Sequence, residues 1–288
     1  MRDYVIMTDS SCDLSEELVN KYGIDVVPLN VTIEGKTFMH RHDWSEMSHD
    51  DFVEAIKNGA TGGTAGTNIQ DAYEAMKKHA EAGKDILYLS LSGGLSCSFQ
   101  NACLAAEDIK DEFSDVTVVV MDSKCVCGGL GLLCVLAARE REQGRSFHET
   151  MRLIDEIHMH IQHQFTVQDL NALSRSGRIS HMTATVGSLL NIKPMLYIDN
   201  EGKIQSAGKA RGRKGAVKQL LDTVEKNTTA HDVYMISHVD AMDDVQTVKA
   251  ALEEKHPGCE VLVTDVGPVI GIHTGHQLLV VCSLGKHR

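Results

Sequence analysis

The 288-residue chain has few prolines and no low-complexity tract. Only four prolines are present, while 42% of the residues are hydrophobic and 24% are charged. A chain with this apolar fraction can bury a core, so the composition excludes a disordered or fibrous protein. At about 150 residues per domain, the length predicts one large domain or two medium ones.

Positive charge is also in short supply. Lys and Arg total 28 against 40 Asp and Glu, which gives a net charge of −12. Such a chain is a poor partner for nucleic acid or anionic lipid, because both are held through many cationic contacts. No apolar run approaches the roughly 18 residues of a membrane span, and the first residues lack the flanks of a signal peptide. We therefore expect a cytoplasmic protein that binds no nucleic acid and has no membrane-spanning segment.

The eight cysteines form no repeated C-x-x-C pair. Most lie in apolar segments, where a free thiol behaves as a small hydrophobic side chain. Cys125 and Cys127 have a single residue between them, not the two of a C-x-x-C pair. His158, His160 and His163 are predicted on one helix, where only the last two share a face. The sequence therefore predicts reduced cysteines and no metal site.

Strands and helices alternate in the first half of the chain. β-Branched runs at residues 4–8, 86–90 and 116–121 each end in a polar or glycine-rich turn before a helical pattern. This order is typical of βαβ units and a mainly parallel sheet, and it predicts an α/β/α domain of three layers over residues 1–163. The predicted helices cover residues 15–22, 69–82, 98–112, 128–143 and 147–163.

After residue 163 the pattern changes. Strands are predicted at residues 164–167, 233–237, 260–264 and 278–282, and helices at 214–226 and 243–255. The turn at Asn200, Glu201 and Gly202 is typical of a hairpin. We predict a second α/β domain over residues 164–288, in which a mixed sheet carries its helices on one side in two layers.

A turn from Ser92 to Ser98 is the most informative segment for function. It lies between a predicted strand and a predicted helix, so its backbone N–H groups and hydroxyls can receive an anion. The same turn is also explained by ordinary helix capping, with Ser96 as the cap. Residues 61–68, which contain three threonines and three glycines, are predicted as a loop. Residues 267–276 place His273 among glycines that let the backbone approach a ligand closely.

Five cations occur within ten residues of this acidic chain. They are Lys209, Arg211, Arg213, Lys214 and Lys218. Such a group is either the solvated start of a helix or a docking patch for an acidic partner or a phosphate.

Read together, these motifs resemble the DegV family of fatty-acid-binding proteins over nearly the whole chain. Each motif is weak alone, whereas six in family order are specific. They are Thr8-Asp9-Ser10 with Asp13-Leu14, Ser92-x-Gly94-Leu95-Ser96, Asp122-Ser123-Lys124 with Gly129-x-Gly131, Gly177-Arg178-Ile179, Lys193-Pro194, and Gly267-Pro268-Val269-Ile270-Gly271-x-His273-x-Gly275.

The resemblance implies two α/β domains that clasp one long-chain fatty acid and need no cofactor. It also implies that the chain is the acyl-presenting B subunit of a bacterial fatty acid kinase and has no catalytic activity of its own. In that family a separate ATP-binding subunit phosphorylates the carboxylate of the bound fatty acid. Apolar runs at residues 130–138, 186–192 and 195–198 are candidates for the wall of the acyl tunnel. The residues expected to hold the carboxylate are Thr64, Ser92, Gly93, Gly94, Ser96 and His273. Those expected to dock the kinase are Arg178, Lys209, Arg211 and Arg213.

Two enzyme classes compete with this reading. A serine-type hydrolase acting on an acyl substrate would use Ser96, His273 and one of the strand-end aspartates. No G-x-S-x-G elbow supports it, since Cys97-Ser98 follows Ser96. A nucleotide-binding Rossmann enzyme is disfavoured because the first βα turn lacks the glycines of a pyrophosphate loop.

Overall fold

The computed structural model describes residues 2–179 and 191–288. Its strands are β1 (Tyr4–Asp9), β2 (Ile24–Val27), β3 (Leu29–Ile33), β4 (Lys36–His40), β5 (Gly62–Thr64), β6 (Asp85–Ser90), β7 (Val118–Asp122), β8 (Ile161–Thr166), β9 (Ile192–Ile198), β10 (Ile204–Arg211), β11 (Thr228–His238), β12 (Glu260–Asp265) and β13 (Leu279–Gly285). Its helices are α1 (Glu16–Tyr22), α2 (His49–Lys57), α3 (Ile69–Glu81), α4 (Ser98–Glu112), α5 (Gly128–Glu142), α6 (Phe147–Ile157), α7 (Asn171–Arg175), α8 (Gly212–Asn227), α9 (Met242–Lys255) and α10 (Pro268–Thr274).

A four-stranded parallel sheet in the order β2-β1-β6-β7 forms the centre of the first half. Side chains alternate between its two faces. Val5 and Met7 pack with Ala and Met side chains of α3 and α4, whereas Tyr4 and Ile6 belong to the core on the α5 side. The predicted α/β/α layers with a parallel sheet are therefore confirmed.

A six-stranded sheet in the order β10-β9-β8-β13-β11-β12 forms the centre of the second half. Only β11 and β12 are parallel within it, so the sheet is mixed, as predicted. Tyr234 and Ile236 pack against α8 and α9, which cover one face. The turn after Ile198 joins β9 to β10 as the predicted hairpin.

Helix α5 lies between the two sheets. It contacts β1 on one side and β8, β11 and β13 on the other, and residues 128–135 are all buried. A Cβ at Gly129 would overlap the His163 ring, and one at Gly131 would lie 2.7 Å from the carbonyl oxygen of Cys12. Glycine at these positions is what allows the helix to approach both neighbours. The run at residues 130–138 therefore forms core between the sheets.

A small antiparallel sheet in the order β4-β3-β5 has no counterpart in the sequence prediction. Residues 61–68 are predicted as a loop, and this is wrong for Gly62–Thr64, which pairs with β3. A Cβ at Gly62 would overlap the carbonyl of Thr32, so the glycine that favours a loop in the sequence instead permits close strand pairing.

The helix predicted over residues 147–163 is too long. Its start is correct, because Ser146 and Glu149 form a capping box, but α6 ends at Ile157 and β8 begins at Ile161. β8 pairs with β13 on one side and β9 on the other, and every residue in it is buried. Pairing with strands that lie far along the chain therefore determines the secondary structure of this segment. β8 crosses residues 163 and 164, and the division into residues 1–163 and 164–288 stays a prediction.

Candidate functional site

A cavity lies between the parallel and mixed sheets and opens to the surface. Most of its wall is apolar. The lining residues come from both halves of the chain and are Leu29, Thr64, Ala65, Leu91, Leu95, Ser96, Val126, Cys127, His163, Phe165, Leu173, Arg178, Ile204, Val269, Ile270, His273, Thr274, Leu278 and Val280.

Thr64 and His273 meet in this wall. Thr64 ends β5, His273 lies in α10, and their Oγ1 and Nε2 atoms share a hydrogen bond of 2.8 Å. Burial, with a further contribution from the cation of Arg178, lowers the pKa of His273 to about 4. The imidazole is therefore neutral near pH 7. Its Nδ1 is buried and has no hydrogen-bond partner among the described residues.

Ser96 joins the same wall through the turn before α4. Its Oγ lies 2.9 Å from Ser98 Oγ and accepts the backbone N–H of Ser98 at 3.2 Å. Ser98 Oγ in turn accepts the backbone N–H of Thr67 at 3.0 Å. A Cβ at Gly66 would come within 3.3 Å of Ser96 Oγ, so the threonine segment and the serine turn are in direct contact. The structure therefore brings Thr64, Ser96 and His273 to one cavity.

Ser92, Gly93 and Gly94 do not reach the cavity wall. Ser92 Oγ donates to the carbonyl of Gly202 at 2.8 Å and accepts the Gly94 N–H at 3.1 Å. The Gly93 N–H donates to Asp122 Oδ1 at 3.0 Å. The Ser92–Gly202 bond holds the β9–β10 turn against the first half of the chain, whereas the Gly93–Asp122 bond lies within that half. Their assignment as carboxylate donors stays a prediction.

The four predicted docking residues are divided between two places. Arg178 lines the cavity and donates from Nη1 to the carbonyl of Ser176 at 2.6 Å. Lys209 and Arg211 are exposed on β10. Arg213 is half-buried, with an ion pair to Asp244 at 2.7 Å and a hydrogen bond to the carbonyl of Gln277. The place of Arg178 in the cavity wall could not be predicted from the sequence, because no local pattern indicates which side of a turn faces inward.

The geometry does not favour the hydrolase alternative. Asp9 is fully buried and accepts hydrogen bonds from Ser11 and from the Leu91 N–H, so its carboxylate is engaged away from His273. His273 Nε2 bonds to Thr64, and no described carboxylate bonds to its Nδ1. A Ser-His-Asp relay needs the imidazole held between the serine and the carboxylate.

Most of the remaining wall comes from residues outside the motifs quoted above. His163 is predicted at the end of a helix, but it lies in β8, while His158 and His160 belong to a 3₁₀ turn. The His163 ring lines the cavity with both nitrogens bonded, to the Val126 N–H and the Ile161 carbonyl. Of the three runs proposed for the tunnel, residues 130–138, 191–192 and 195–198 do not line the cavity. Residues 186–190 lie outside the described residues.

The fold and cavity define an α/β protein that encloses one largely apolar cavity with hydroxyl, imidazole and guanidinium groups in its wall. The chain belongs to the DegV family. The family model that matches it, over residues 3–286, carries the description uncharacterised protein, DegV family. No helix within residues 2–179 and 191–288 is long and apolar enough to cross a bilayer.

Known proteins similar to this chain match it over almost their whole length. A DegV domain-containing protein from Clostridium perfringens is 34% identical and covers 99% of this chain, which covers 98% of that protein. A DegV family protein from Thermus thermophilus, described for its fatty acid binding, is 28% identical with a TM-score of 0.86 and coverage of 99% and 100%. The Streptococcus pneumoniae fatty acid kinase (Fak) B3 protein loaded with linoleic acid shares the fold, with a TM-score of 0.87, 21% identity and coverage of 99% and 100%.

Proposed function

We propose that this protein binds one long-chain fatty acid in the cavity and presents its carboxylate to a separate, ATP-dependent fatty acid kinase subunit. The observation that carries the proposal is the Thr64–His273 pair in the wall of an otherwise apolar cavity. The fatty acid binding of the similar Thermus thermophilus protein supports the same ligand class.

The polar groups in the wall suit a carboxylate. An unpaired buried charge costs several kcal/mol, so a buried head group needs several donors. Thr64 and Ser96 supply hydroxyls, His273 supplies a ring nitrogen, and Arg178 supplies a cation in the same wall. An anionic ligand beside His273 raises the pKa of that imidazole, because it stabilises the protonated form.

The apolar part of the wall suits an acyl chain. Burial of each methylene contributes about 0.8 kcal/mol, so a chain of about sixteen methylenes supplies most of the affinity. The head group then fixes the direction of the ligand. Leu95 and Leu173, together with Phe165, are among the side chains that would contact the tail.

Extraction of the purified protein, followed by lipid mass spectrometry, tests the ligand. We expect one long-chain fatty acid per chain, retained by the wild type and depleted in a His273→Ala variant. An exposed histidine outside the cavity provides the control, His148→Ala. A wild-type protein that is repeatedly empty and has no affinity for added fatty acid would overturn the proposal.

A reconstituted phosphorylation reaction tests the presentation step separately. The exposed cations Lys209 and Arg211 stand out on an acidic chain and fit an acidic docking partner. We expect Lys209→Glu with Arg211→Glu to keep fatty acid binding and lose acyl phosphorylation by the kinase subunit. Lys226→Glu, at the far end of α8, should keep both. Unchanged phosphorylation in the double variant would remove the docking role.

A further inference from the structure

Three side chains far along the chain from the cavity residues form a separate cluster. Glu225 lies in α8, His231 in β11, and His256 directly follows α9. One ligand atom from each lies within 4.8 Å of the others, and this is the only such group of three found in residues 2–179 and 191–288. All three are half-buried, so an ion in solution can reach them.

The hydrogen bond that His231 makes leaves one of its ring nitrogens free. His231 Nδ1 bonds to the hydroxyl of Tyr234 at 2.6 Å, which leaves Nε2 available as a ligand. Tyr234 is fully buried, so its hydroxyl is fixed by the packing around it. Metal-binding histidines are commonly oriented in this way, through a hydrogen bond from the second ring nitrogen.

The other two groups already share a proton. His256 Nε2 lies 2.9 Å from Glu225 Oε2, and both atoms are ligands that Zn²⁺ accepts. A divalent ion in place of that proton would bind both groups. The His231 and His256 rings stack 3.9 Å apart at an angle of 10°, so the two side chains already lie against each other.

We propose that Glu225, His231 and His256 bind a Zn²⁺ ion, with water completing the coordination. Two imidazoles and one carboxylate suit zinc better than magnesium or calcium, which prefer oxygen ligands. Zinc bonds of about 2.0–2.2 Å require donor atoms about 3.3 Å apart. The two stacked rings must therefore rotate out of their stack so that the three donor atoms approach one another around the ion. The ion would connect α8, β11 and the end of α9, on the opposite face of the mixed sheet from α5.

Calorimetric titration of Zn²⁺ into the full chain, first stripped with a chelator, tests this site. We expect His231→Asn with His256→Asn to bind one zinc ion fewer than the wild type. Glu225→Gln should weaken the site at least tenfold. Tyr234→Phe should still bind the ion, but with an affinity about tenfold lower, as expected when the hydrogen-bond partner of a ligating histidine is lost. His148→Asn, an exposed histidine elsewhere, should bind like the wild type.

X-ray absorption of the zinc-loaded wild type gives a second readout that does not depend on how a variant folds. We expect nitrogen and oxygen neighbours, with the signature of two imidazoles. A sulfur shell would place the ion on a cysteine instead and overturn the proposal. A wild type that takes up no zinc at micromolar concentrations, or a double variant that binds as many ions with equal affinity, would also overturn it.

Discussion

Acid should destabilise the ligand-free protein through His273. Burial and Arg178 lower the pKa of this histidine from its ordinary value of 6.5 to about 4, so the folded protein holds the ring neutral while the unfolded chain protonates it. This contribution leaves stability unaffected above pH 6.5, where both states are neutral. Stability is then lost as the pH falls from 6.5 to about 4, and no further loss arises from this group below that range.

The size of the effect follows from the shift. Each pKa unit corresponds to 1.36 kcal/mol, so a shift from 6.5 to about 4 is worth about 3 kcal/mol when fully expressed, and about 2.5 kcal/mol at pH 4.5. Urea unfolding at pH 7.5 and pH 4.5 measures the loss. A His273→Asn variant should lose about 2.5 kcal/mol less than the wild type between these two values, whereas His148→Asn should lose as much as the wild type.

A direct titration separates this explanation from other acid effects. The Cε1 proton of His273, assigned by its absence from the His273→Asn spectrum, should titrate near pH 4 in the ligand-free protein. Fatty acid should move that midpoint upward, because the carboxylate favours the charged ring. A midpoint near 6.5 without ligand, or equal acid losses in the variant and the wild type, would refute the reasoning.

Two further predictions concern single contacts. Thr64→Val removes the hydroxyl bonded to His273 and should weaken the binding of a fluorescent fatty acid by about tenfold, because one hydrogen bond contributes about 1 kcal/mol or somewhat more. Thr61→Val, at an exposed site, should bind fatty acid like the wild type. Equal affinities of the Thr64 variant and the wild type would exclude Thr64 from the head-group site. Gly129→Ala forces a methyl group onto the His163 ring and should lower the free energy of unfolding, measured by calorimetry, by about 1–3 kcal/mol. Gly215→Ala, where a methyl group in α8 meets open space, should be neutral or stabilising. Similar melting temperatures for the two variants would contradict the close packing of α5.

Elements whose signals are local could be predicted closely from the sequence. Helix α4 was predicted at residues 98–112, where the structure places it, because a polar turn precedes it and its apolar period is regular. The error at residues 158–163 has a different origin. The strand character of β8 comes from pairing with β13 and β9, which lie far along the chain, and no pattern within β8 contains that information. The three-residue strand β5 is too short to carry any period.

The candidate site depends almost entirely on such distant contacts. Thr64 and His273 are 209 residues apart, so their hydrogen bond could be expected only from resemblance to a family. The serine-glycine turn shows why residue type alone is not enough. Ser96, at its end, faces the cavity, while Ser92 is bonded to Gly202, 110 residues further on. Two serines with the same chemistry thus have different roles, and only the position of the β9–β10 turn distinguishes them.

That turn also links the cavity to the join between the two halves of the chain. A Cβ at Gly94 would lie 2.5 Å from the carbonyl oxygen of Glu201, so the serine-glycine turn and the β9–β10 turn are in backbone contact. Ile204, at the start of β10, lines the cavity just beyond this contact. A shift of the β9–β10 turn would therefore move part of the cavity wall and break the Ser92–Gly202 bond together. Gly94 of this motif packs against the β9–β10 turn outside the cavity wall, whereas Ser96 lies in the wall itself.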